Sequence, residues 1–388
     1  MAIPRILAGE VDRAARAFAA VLLTGPRRSG KTTLLRAARP HADYHLLEDP
    51  DVVARFRQDP RGFLDGLRLP AILDEIQHVP EIFNYVRSRI DREPTRRGRW
   101  FLTGSQEAPL MRGITESMAG RAAVLHLWPF STRETAKVSL FRGGFPEVVA
   151  RPATADLWFR SYVQSYLERD VRAVTNVRDL ATFRRFLALL ASLNGQLLNK
   201  TALAAPLGVS VPTITDWLSV LEVTGQIVIV PPYFKNFGKR LVKTPKLYFV
   251  DSGLTCHLLG IESPRALERS PFLGAIFEGF VASEIAKWQI NRGGRPELYY
   301  FRDHQGLEVD FVVPHRQDLL LIEAKASRTP LPSMAGPMAH LRSAMKAETA
   351  VPIVVYRGLL TTPRSTALAP GVRAFTLDQL LAWLSESR

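Results

Sequence analysis

One stretch near the amino terminus constrains the fold more than any other part of the chain. An apolar run at residues 21–23 leads into GPRRSGKT at residues 25–32, which matches the pattern G-x-x-x-x-G-K-[ST], and a helix-forming segment follows. Gly25 and Gly30 allow the loop to curl with its N–H groups pointing inward, and the helix that starts near Lys31 adds the positive end of its dipole. A strand, a glycine-bounded loop and a helix in this order predict a site for a nucleoside triphosphate.

The residue types in this loop also predict how the ligand is held. Lys31 is expected to reach the β and γ phosphates, and the hydroxyl of Thr32 is expected to ligate Mg²⁺. ATP and Mg²⁺ are therefore the predicted cofactors. The predicted nucleotide-binding residues are Gly25, Pro26, Arg27, Arg28, Ser29, Gly30, Lys31, Thr32 and Thr33.

A second apolar run ends in two carboxylates about forty residues further along the chain. Residues 71–73 read as a buried strand, and Asp74 and Glu75 follow at its carboxyl end, where open α/β sheets place their ligands. Asp74 is predicted to hold Mg²⁺ directly or through water. Glu75 is predicted to act as a general base that polarises the attacking water.

Two further segments contain candidates for catalysis. The predicted strand in residues 98–106 ends in Thr-Gly-Ser, so that Thr103 or Ser105 can hydrogen-bond the γ phosphate or the water, or simply cap the strand. Arg121 follows an Ala-Gly turn, and an arginine in this position can stabilise the transition state of its own site or of a neighbour's. A surface arginine in contact with solvent is an equal alternative for Arg121, because the same sequence spacing fits both roles.

Composition limits the class of protein. With 388 residues, of which 46% are hydrophobic, the chain can bury two or three cores. No apolar run reaches the length of a membrane span, residues 1–18 lack the apolar block of a signal peptide, and the single cysteine, Cys256, excludes internal disulfides. These features predict a cytoplasmic protein without a membrane partner. The net charge of +14 favours polyanionic partners. The alternative explanation is a proteome in which arginine is frequent in all proteins.

Several motifs in a fixed order resemble one family. The phosphate loop, LDEIQ, FLTGSQ, SMAGR and LWPFSTRE are similar to the ATPase domain of prokaryotic AAA+-type ATP-binding proteins with a C-terminal domain of unknown function 4143. GGFPEV at residues 143–148 and YVQSYLERDV at residues 162–171 extend the resemblance over nearly the whole chain. Relatives of this type suggest a homo-oligomer. By its glycine pair and proline, the GGFPE segment itself reads as a linker or hinge.

The resemblance implies an α/β fold with three parts. These are a P-loop AAA+-type ATPase domain at residues 1–150, a helical and winged-helix domain at residues 151–265, and an α/β restriction-nuclease-like domain of the PD-(D/E)XK type at residues 266–388.

The middle part has the rhythm of a winged helix, with a helix at residues 210–222 followed by β-rich segments. That helix contains no Lys or Arg, which argues against base reading. The wing is basic and predicts contacts to a nucleic-acid backbone, whereas a packing module between domains is an equal alternative. The wing cations are Lys235, Lys239, Arg240, Lys243 and Lys246.

The last third carries a second group of acidic residues. Glu278 lies on a predicted helix, Asp310 in a predicted strand, and Glu323 and Lys325 share one face of the next strand. Two carboxylates on neighbouring strands can hold Mg²⁺, and a lysine beside them can orient water or balance phosphate charge. This set is similar to the PD-(D/E)XK nuclease pattern, in which Lys325 is catalytic and not a ligand. Solvated charges on an edge strand are the alternative.

Two functions remain open from the sequence. The first is an ATPase that couples hydrolysis to nucleic-acid binding or processing, with metal-dependent nuclease activity as an option. The second is an ATP-dependent switch or assembly factor whose winged-helix and nuclease-like domains bind protein partners.

Overall fold

The computed structural model describes residues 3–104, 118–167, 180–233, 242–345, 349–358 and 366–386. The chain divides into two compact units. The first comprises Met1–Phe130, Ser219–Gln226 and Ile290–Gly294, and the second comprises Ser131–Leu218, Ile227–Gln289 and Arg295–Arg388. The predicted domain boundaries near residues 150 and 265 stay predictions.

A parallel five-stranded sheet forms the centre of the first unit, in the order β2-β3-β4-β1-β5. Its strands are β1 (Ala20–Thr24), β2 (Asp43–Leu46), β3 (Ala71–Asp74), β4 (Trp100–Thr103) and β5 (Ala122–His126). The helices of this part are α1 (Ala8–Ala17), α2 (Lys31–Ala38), α3 (Pro50–Gln58), α4 (Pro60–Asp65) and α5 (Ile82–Arg92).

Side chains that alternate along the buried strands place apolar residues on both faces of this sheet. Val21 and Phe101 belong to one hydrophobic core, while their neighbours Leu22 and Leu102 belong to another. Successive side chains in a strand point to opposite faces, so that continuous apolar runs are typical of a parallel sheet between helical layers. The α/β prediction for the ATPase domain is confirmed.

The second unit begins with short helices. The described helices that lie wholly or mostly in this unit are α6 (Pro146–Ala150), α7 (Ala155–Tyr162), α8 (Leu180–Ser192), α9 (Lys200–Ala204), α10 (Val211–Val223), α11 (Ser252–Leu258), α12 (Pro264–Arg269), α13 (Leu273–Ile290), α14 (Gly336–Met345) and α15 (Leu377–Glu386). The end of α10, from Ser219, and the last residue of α13, Ile290, belong to the first unit. Ser210 precedes α10 and its hydroxyl accepts a hydrogen bond from the Thr213 N–H. Ile214, Trp217 and Leu218 of α10 are buried, as the helical spacing predicts.

The predicted wing contains a two-stranded antiparallel ribbon, made of β6 (Ile227–Val230) and β7 (Lys246–Phe249). Residues 234–241, including Lys235, Lys239 and Arg240, lie outside the described residues.

A mixed six-stranded sheet forms the carboxyl-terminal part of the second unit, in the order β12-β13-β11-β10-β9-β8. Its strands are β8 (Tyr299–Arg302), β9 (Glu308–His315), β10 (Asp318–Lys325), β11 (Ala350–Tyr356), β12 (Ala367–Ala369) and β13 (Val372–Thr376). Strand β10, which carries Glu323 and Lys325, pairs antiparallel with β9 and parallel with β11. The carboxylate of Glu323 therefore lies on an interior strand and not on an edge.

The Gly-Gly-Phe-Pro segment differs from the prediction of a linker. The Asp251 carboxylate accepts a hydrogen bond from the Gly144 N–H at 2.7 Å, and Phe145 is buried between Trp158 and Tyr162. A Cβ on Gly143 would lie 2.0 Å from an Asp251 carboxylate oxygen. The glycine pair therefore permits close packing against a buried carboxylate, in a segment that the sequence alone predicts as a linker or hinge.

Cys256 is buried, in agreement with its predicted place in a core. Across the described stretches, no helix has both the length and the apolar character required to cross a bilayer.

Candidate functional site

The phosphate loop joins β1 to α2 with the backbone conformations that its glycines allow. Gly25 has a φ of 142° and Gly30 a φ of 96°, and α2 begins directly at Lys31. A Cβ on Gly25 would lie 2.1 Å from the Leu127 carbonyl oxygen, so that a side chain is excluded there as well. The two glycines are thus required by conformation at both positions and by packing at the first.

The interior of the loop is polar and buried. The Lys31 ammonium donates hydrogen bonds to the carbonyl oxygens of Gly25 at 3.1 Å and Pro26 at 3.0 Å. The Ser29 hydroxyl is buried, and no hydrogen-bond partner lies near it among the described residues. A buried ammonium and an orphaned hydroxyl inside a glycine-bounded loop fit phosphate oxygens.

Three other residues of the predicted nucleotide site are more exposed. Arg27 is half-buried, while Arg28, which has a φ of 61°, and Thr33 are exposed.

The predicted magnesium residues meet across two elements. Thr32, in the first turn of α2, donates a hydrogen bond from its hydroxyl to the Asp74 carboxylate at 2.8 Å. Asp74 ends β3 and is buried. A hydroxyl and a carboxylate in contact beside a phosphate cradle fit Mg²⁺, which prefers oxygen ligands and one or two carboxylates with substrate phosphates.

Two additional hydroxyl groups hold the Asp74 carboxylate. Tyr44 on β2 donates to it at 2.7 Å, and Thr103 at the end of β4 also donates to it. Burial, reinforced by the charge of Asp74, raises the pKa of Tyr44 and keeps its hydroxyl protonated as a donor. Sequence reasoning missed Tyr44, because it is the second of the four residues of β2 and only the pairing of β2 with β3 brings its hydroxyl to Asp74.

Glu75 lies immediately beyond β3 in an unusual conformation. Its φ of 57° is left-handed, and its N–H donates to the Thr103 hydroxyl at 3.2 Å. The Gln77 amide donates to the Glu75 carboxylate. Strained backbone positions that are held by several contacts are common at functional sites. The sequence predicted Glu75 but not Gln77, its orienting partner.

The other two catalytic candidates have different outcomes. Ser105 lies outside the described residues. Arg121 precedes β5, and its carbonyl oxygen accepts from the Ala20 N–H at the start of β1, so that it lies at the amino edge of the sheet. The phosphate loop follows the carboxyl end of β1, about 17 Å away at 3.3 Å per strand residue. The structure does not bring Arg121 to the phosphate loop of its own chain, and its guanidinium pairs with Asp91 at 2.6 Å.

The structure contradicts the prediction for Lys246. The sequence placed it among the wing cations that contact a phosphate backbone, but its side chain is only 3% exposed. Its ammonium lies 3.0 Å from Glu278 and 2.5 Å from Glu308. Alternation in β7 directs Lys246 and Tyr248 to the same buried face, and this pattern was the missed signal. Lys243, which is exposed, remains among the described wing cations.

The predicted acidic residues of the C-terminal part lie around this lysine. Glu278 on α13 accepts from the Tyr248 hydroxyl at 2.5 Å, and Asp310 on β9 accepts from the Ala324 N–H at 2.9 Å. Glu323 pairs with Lys325 at 2.5 Å. Burial and the nearby Glu278 and Glu323 raise the pKa of Asp310 well above its usual range, and burial also raises the pKa of Glu323.

This arrangement does not yet form a metal centre. In the parts of the chain that the structure describes, no three acidic, histidine or cysteine side chains converge closely enough to hold an ion. One Glu323 carboxylate oxygen is buried without a hydrogen-bond partner, which suits a cation, but Glu278 is committed to Lys246 and Tyr248. The donors as they stand do not fit a divalent ion, and the predicted metal site stays a prediction.

Comparisons with known families divide the chain into three segments. A family described as an AAA domain matches residues 17–136, a domain of unknown function (DUF8612) matches residues 133–265, and a domain of unknown function (DUF4143) matches residues 273–377. The resemblance drawn from the motifs is confirmed for the ATPase domain and for the C-terminal domain.

Two mycobacterial proteins are similar over nearly the whole chain. Rv2008c of Mycobacterium tuberculosis and Mb2031c of Mycobacterium bovis are each 34% identical over 393 aligned residues, which cover 98% of this chain and 87% of each relative.

Solved structures give a weaker likeness. The Walker-type ATPase PABY2304 of Pyrococcus abyssi aligns with a TM-score of 0.43 and 16% identity, covering 65% of this chain and 94% of its own. A signal transduction ATPase with numerous domains, PH0952 of Pyrococcus horikoshii, aligns with a TM-score of 0.21 and 14% identity, covering 71% and 47%. The family matches and the extended similarity to the mycobacterial proteins show that the chain belongs to the family of P-loop ATPase-like proteins that join an AAA domain to a C-terminal DUF4143 domain.

Proposed function

We propose that this protein hydrolyses ATP with Mg²⁺ at the phosphate loop. The observation that supports the proposal is the contact between the Thr32 hydroxyl and the Asp74 carboxylate, which joins the two predicted magnesium residues at the start of the helix that begins with Lys31. Mg²⁺, when bound, would neutralise charge that develops on the phosphate oxygens. We place this activity in the cytoplasm, as the single cysteine of the chain favours.

Each residue of the site has a separate role in this proposal. Lys31 exchanges its hydrogen bonds to the Gly25 and Pro26 carbonyl oxygens for phosphate oxygens, and Ser29 supplies a further donor from within the loop. Thr32 and Asp74 hold the metal. Tyr44 orients the Asp74 carboxylate.

Glu75 is the general base of this proposal. The Thr103 hydroxyl accepts from its N–H and Gln77 donates to its carboxylate, so that both its backbone and its side chain are oriented. An oriented carboxylate next to the metal residues can take a proton from the attacking water.

Arg121 acts in this proposal on a neighbouring copy of the chain. Its place at the amino edge of the sheet separates it from the phosphate loop of its own chain, whereas a homo-oligomer can present it to another. Turnover per chain is then expected to rise with protein concentration in the wild type, and Arg121→Ala is expected to remove that rise.

Coupling to nucleic acid is the first candidate for the output of the ATPase. The net charge of +14 and the remaining basic wing residues support contacts to a phosphate backbone. Lys235, Lys239 and Arg240 lie outside the described residues, so that this support comes from their sequence. Metal-dependent cleavage is not part of the proposal, because the acidic donors of the described residues do not converge as a metal centre.

A protein switch is the second candidate, and one observation favours it. Lys246 is buried against Glu278 and Glu308 and is withdrawn from the wing surface, and the helix α10 carries no Lys or Arg. This reduces the basic surface of the winged-helix segment and leaves a module suited to packing against protein.

ATP turnover separates the two candidates. The rate is measured with and without single-stranded DNA, duplex DNA and RNA, at several salt concentrations, and substrate integrity is scored in the same reactions with Mg²⁺ or Mn²⁺. Stimulation that declines as salt rises supports nucleic-acid coupling, because phosphate contacts release counterions. Unchanged turnover supports the protein switch, and absence of turnover under all conditions contradicts the ATPase itself.

A further inference from the structure

A lysine ammonium occupies the centre of the acidic cluster in the C-terminal part. Lys246 reaches it from β7, and its Nζ lies 3.0 Å from Glu278, 2.5 Å from Glu308 and 3.9 Å from Asp310. A cation that is taken out of water is stable only with close counter-charges and hydrogen bonds. Glu278 on α13 and Glu308 on β9 supply the close counter-charges, and Asp310 on β9 lies slightly further away.

The lysine is held in place by the elements around it. The Tyr248 hydroxyl, two residues along β7, donates to the same Glu278 oxygen that pairs with Lys246. The Tyr300 ring lies 5.6 Å from the ammonium, and the Tyr300 hydroxyl donates to the Thr244 carbonyl oxygen just before β7. The Val242 N–H donates to the Arg302 carbonyl oxygen at 3.2 Å. Moving Lys246 out of the cluster would break this chain of contacts between the ribbon and the sheet.

The charges of the cluster are already nearly balanced. Two further cations accompany Lys246, since Arg302 pairs with Glu308 at 3.2 Å and Lys325 pairs with Glu323 at 2.5 Å. The Lys246 ammonium has two carboxylates, those of Glu278 and Glu308, within 3.0 Å, and these close counter-charges favour its charged form. A divalent ion brought into this space would repel the buried ammonium at short range, where screening by solvent is weak.

We propose that Lys246 is the resident cation of this acidic cluster and excludes a divalent metal ion from Glu278, Asp310 and Glu323. The cluster then anchors the ribbon to the C-terminal sheet, and the nuclease-like arrangement of its carboxylates does not act as a metal centre while the lysine is in place.

Manganese binding to the full-length chain tests this proposal. Binding of Mn²⁺ is measured by electron paramagnetic resonance without nucleotide, in an Asp74→Asn background that weakens the metal site of the ATPase. With Lys246 present, adding Asp310→Asn is expected to leave the binding isotherm unchanged. Lys246→Met removes the repulsion and is expected to create a site that binds Mn²⁺ at least about tenfold more tightly than the chain with Lys246 does. Adding Asp310→Asn to the Lys246→Met variant is expected to abolish this site.

Lys287→Met is the matched control. Lys287 is a buried lysine on the same helix as Glu278, and its ammonium pairs with Glu284 at 2.9 Å. Lys287→Met therefore measures how the removal of a buried ammonium outside the acidic cluster affects Mn²⁺ binding. This variant is expected to gain no Mn²⁺ site. The proposal is overturned if the chain with Lys246 binds Mn²⁺ and loses that binding with Asp310→Asn, or if a folded Lys246→Met gains no site. Should Lys246→Met fail to fold, the chain that keeps Lys246 still tests the proposal, since Mn²⁺ binding that is lost with Asp310→Asn would overturn it.

Discussion

The Thr32 hydroxyl donates a hydrogen bond of 2.8 Å to the Asp74 carboxylate, joining the helix after the phosphate loop to the end of strand β3. Residues that are forty-two positions apart in sequence are thereby brought to one point at the carboxyl edge of the sheet. This is the arrangement that a magnesium–nucleotide complex requires of its protein ligands.

Thr32→Ala removes this hydroxyl and is expected to reduce Mg²⁺-dependent ATP turnover by about a hundredfold, because an oriented ligand of the charged site is lost. Thr32→Ser keeps the hydroxyl and is expected to retain most of the activity. Steady-state turnover at a series of Mg²⁺ concentrations measures both variants. Equal loss in the two would show that the hydroxyl is not the important group.

Gly25→Ala is expected to abolish nucleotide binding. Its Cβ would lie 2.1 Å from the Leu127 carbonyl oxygen, and the φ of 142° disfavours any side chain. Gly9→Ala is the matched control, because Gly9 lies in α1 with nothing within 4 Å of the point that a Cβ would occupy, and alanine favours a helix. Binding of a fluorescent ATP analogue measures both. Normal binding by a folded Gly25→Ala variant would contradict the proposed need for glycine.

Asp251→Ala is expected to lower the free energy of unfolding of the second unit by about 3 kcal/mol. The substitution leaves the buried N–H groups of Gly144 and Leu254 without the carboxylate that now accepts from them. Chemical denaturation measures the change. Glu262→Ala, at an exposed position, is the control and is expected to stay within about 0.5 kcal/mol of the wild type. A similar small effect for Asp251→Ala would show that the Gly-Gly-Phe-Pro segment is held by other contacts.

His257 gives the second unit a sensitivity to acid. Burial lowers its pKa below the usual 6.5, and the partly opposing effect of Asp156 does not reverse this. The unfolded chain therefore binds more protons at this residue than the folded chain as the pH falls through 6.5, so that stability is lost on acidification. His257→Gln is expected to show a smaller fall in melting temperature between about pH 7.5 and about pH 5.5. Identical falls in the two proteins would contradict this assignment.

The geometry of the candidate ATPase site could largely be predicted from sequence because its parts are local. The loop at residues 25–32 carries strand, glycines and helix start in one segment, and Asp74 and Glu75 end one apolar run. Tyr44 and Gln77 were missed, since their roles depend on which strands are neighbours and on the left-handed turn at Glu75.

Lys246 and the Gly-Gly-Phe-Pro segment show why the second unit was harder to predict. A lysine and a glycine pair are typical of exposed segments, and only contacts with residues about thirty or more than one hundred positions away bury them here. Glu278, Glu308 and Asp251 supply those contacts through tertiary structure. Local patterns contain no information about such partners, apart from the alternation that places Lys246 and Tyr248 on one face.

The most direct test of the ATPase proposal compares ATP turnover and ATP binding in the wild type, Lys31→Ala and Glu75→Gln. The wild type is expected to hydrolyse ATP with Mg²⁺, and Lys31→Ala to lose binding or turnover. Glu75→Gln is expected to bind ATP normally and to lose about 10²- to 10⁴-fold in turnover, because a general base is removed. Unimpaired hydrolysis by Glu75→Gln or Lys31→Ala would contradict the central claim.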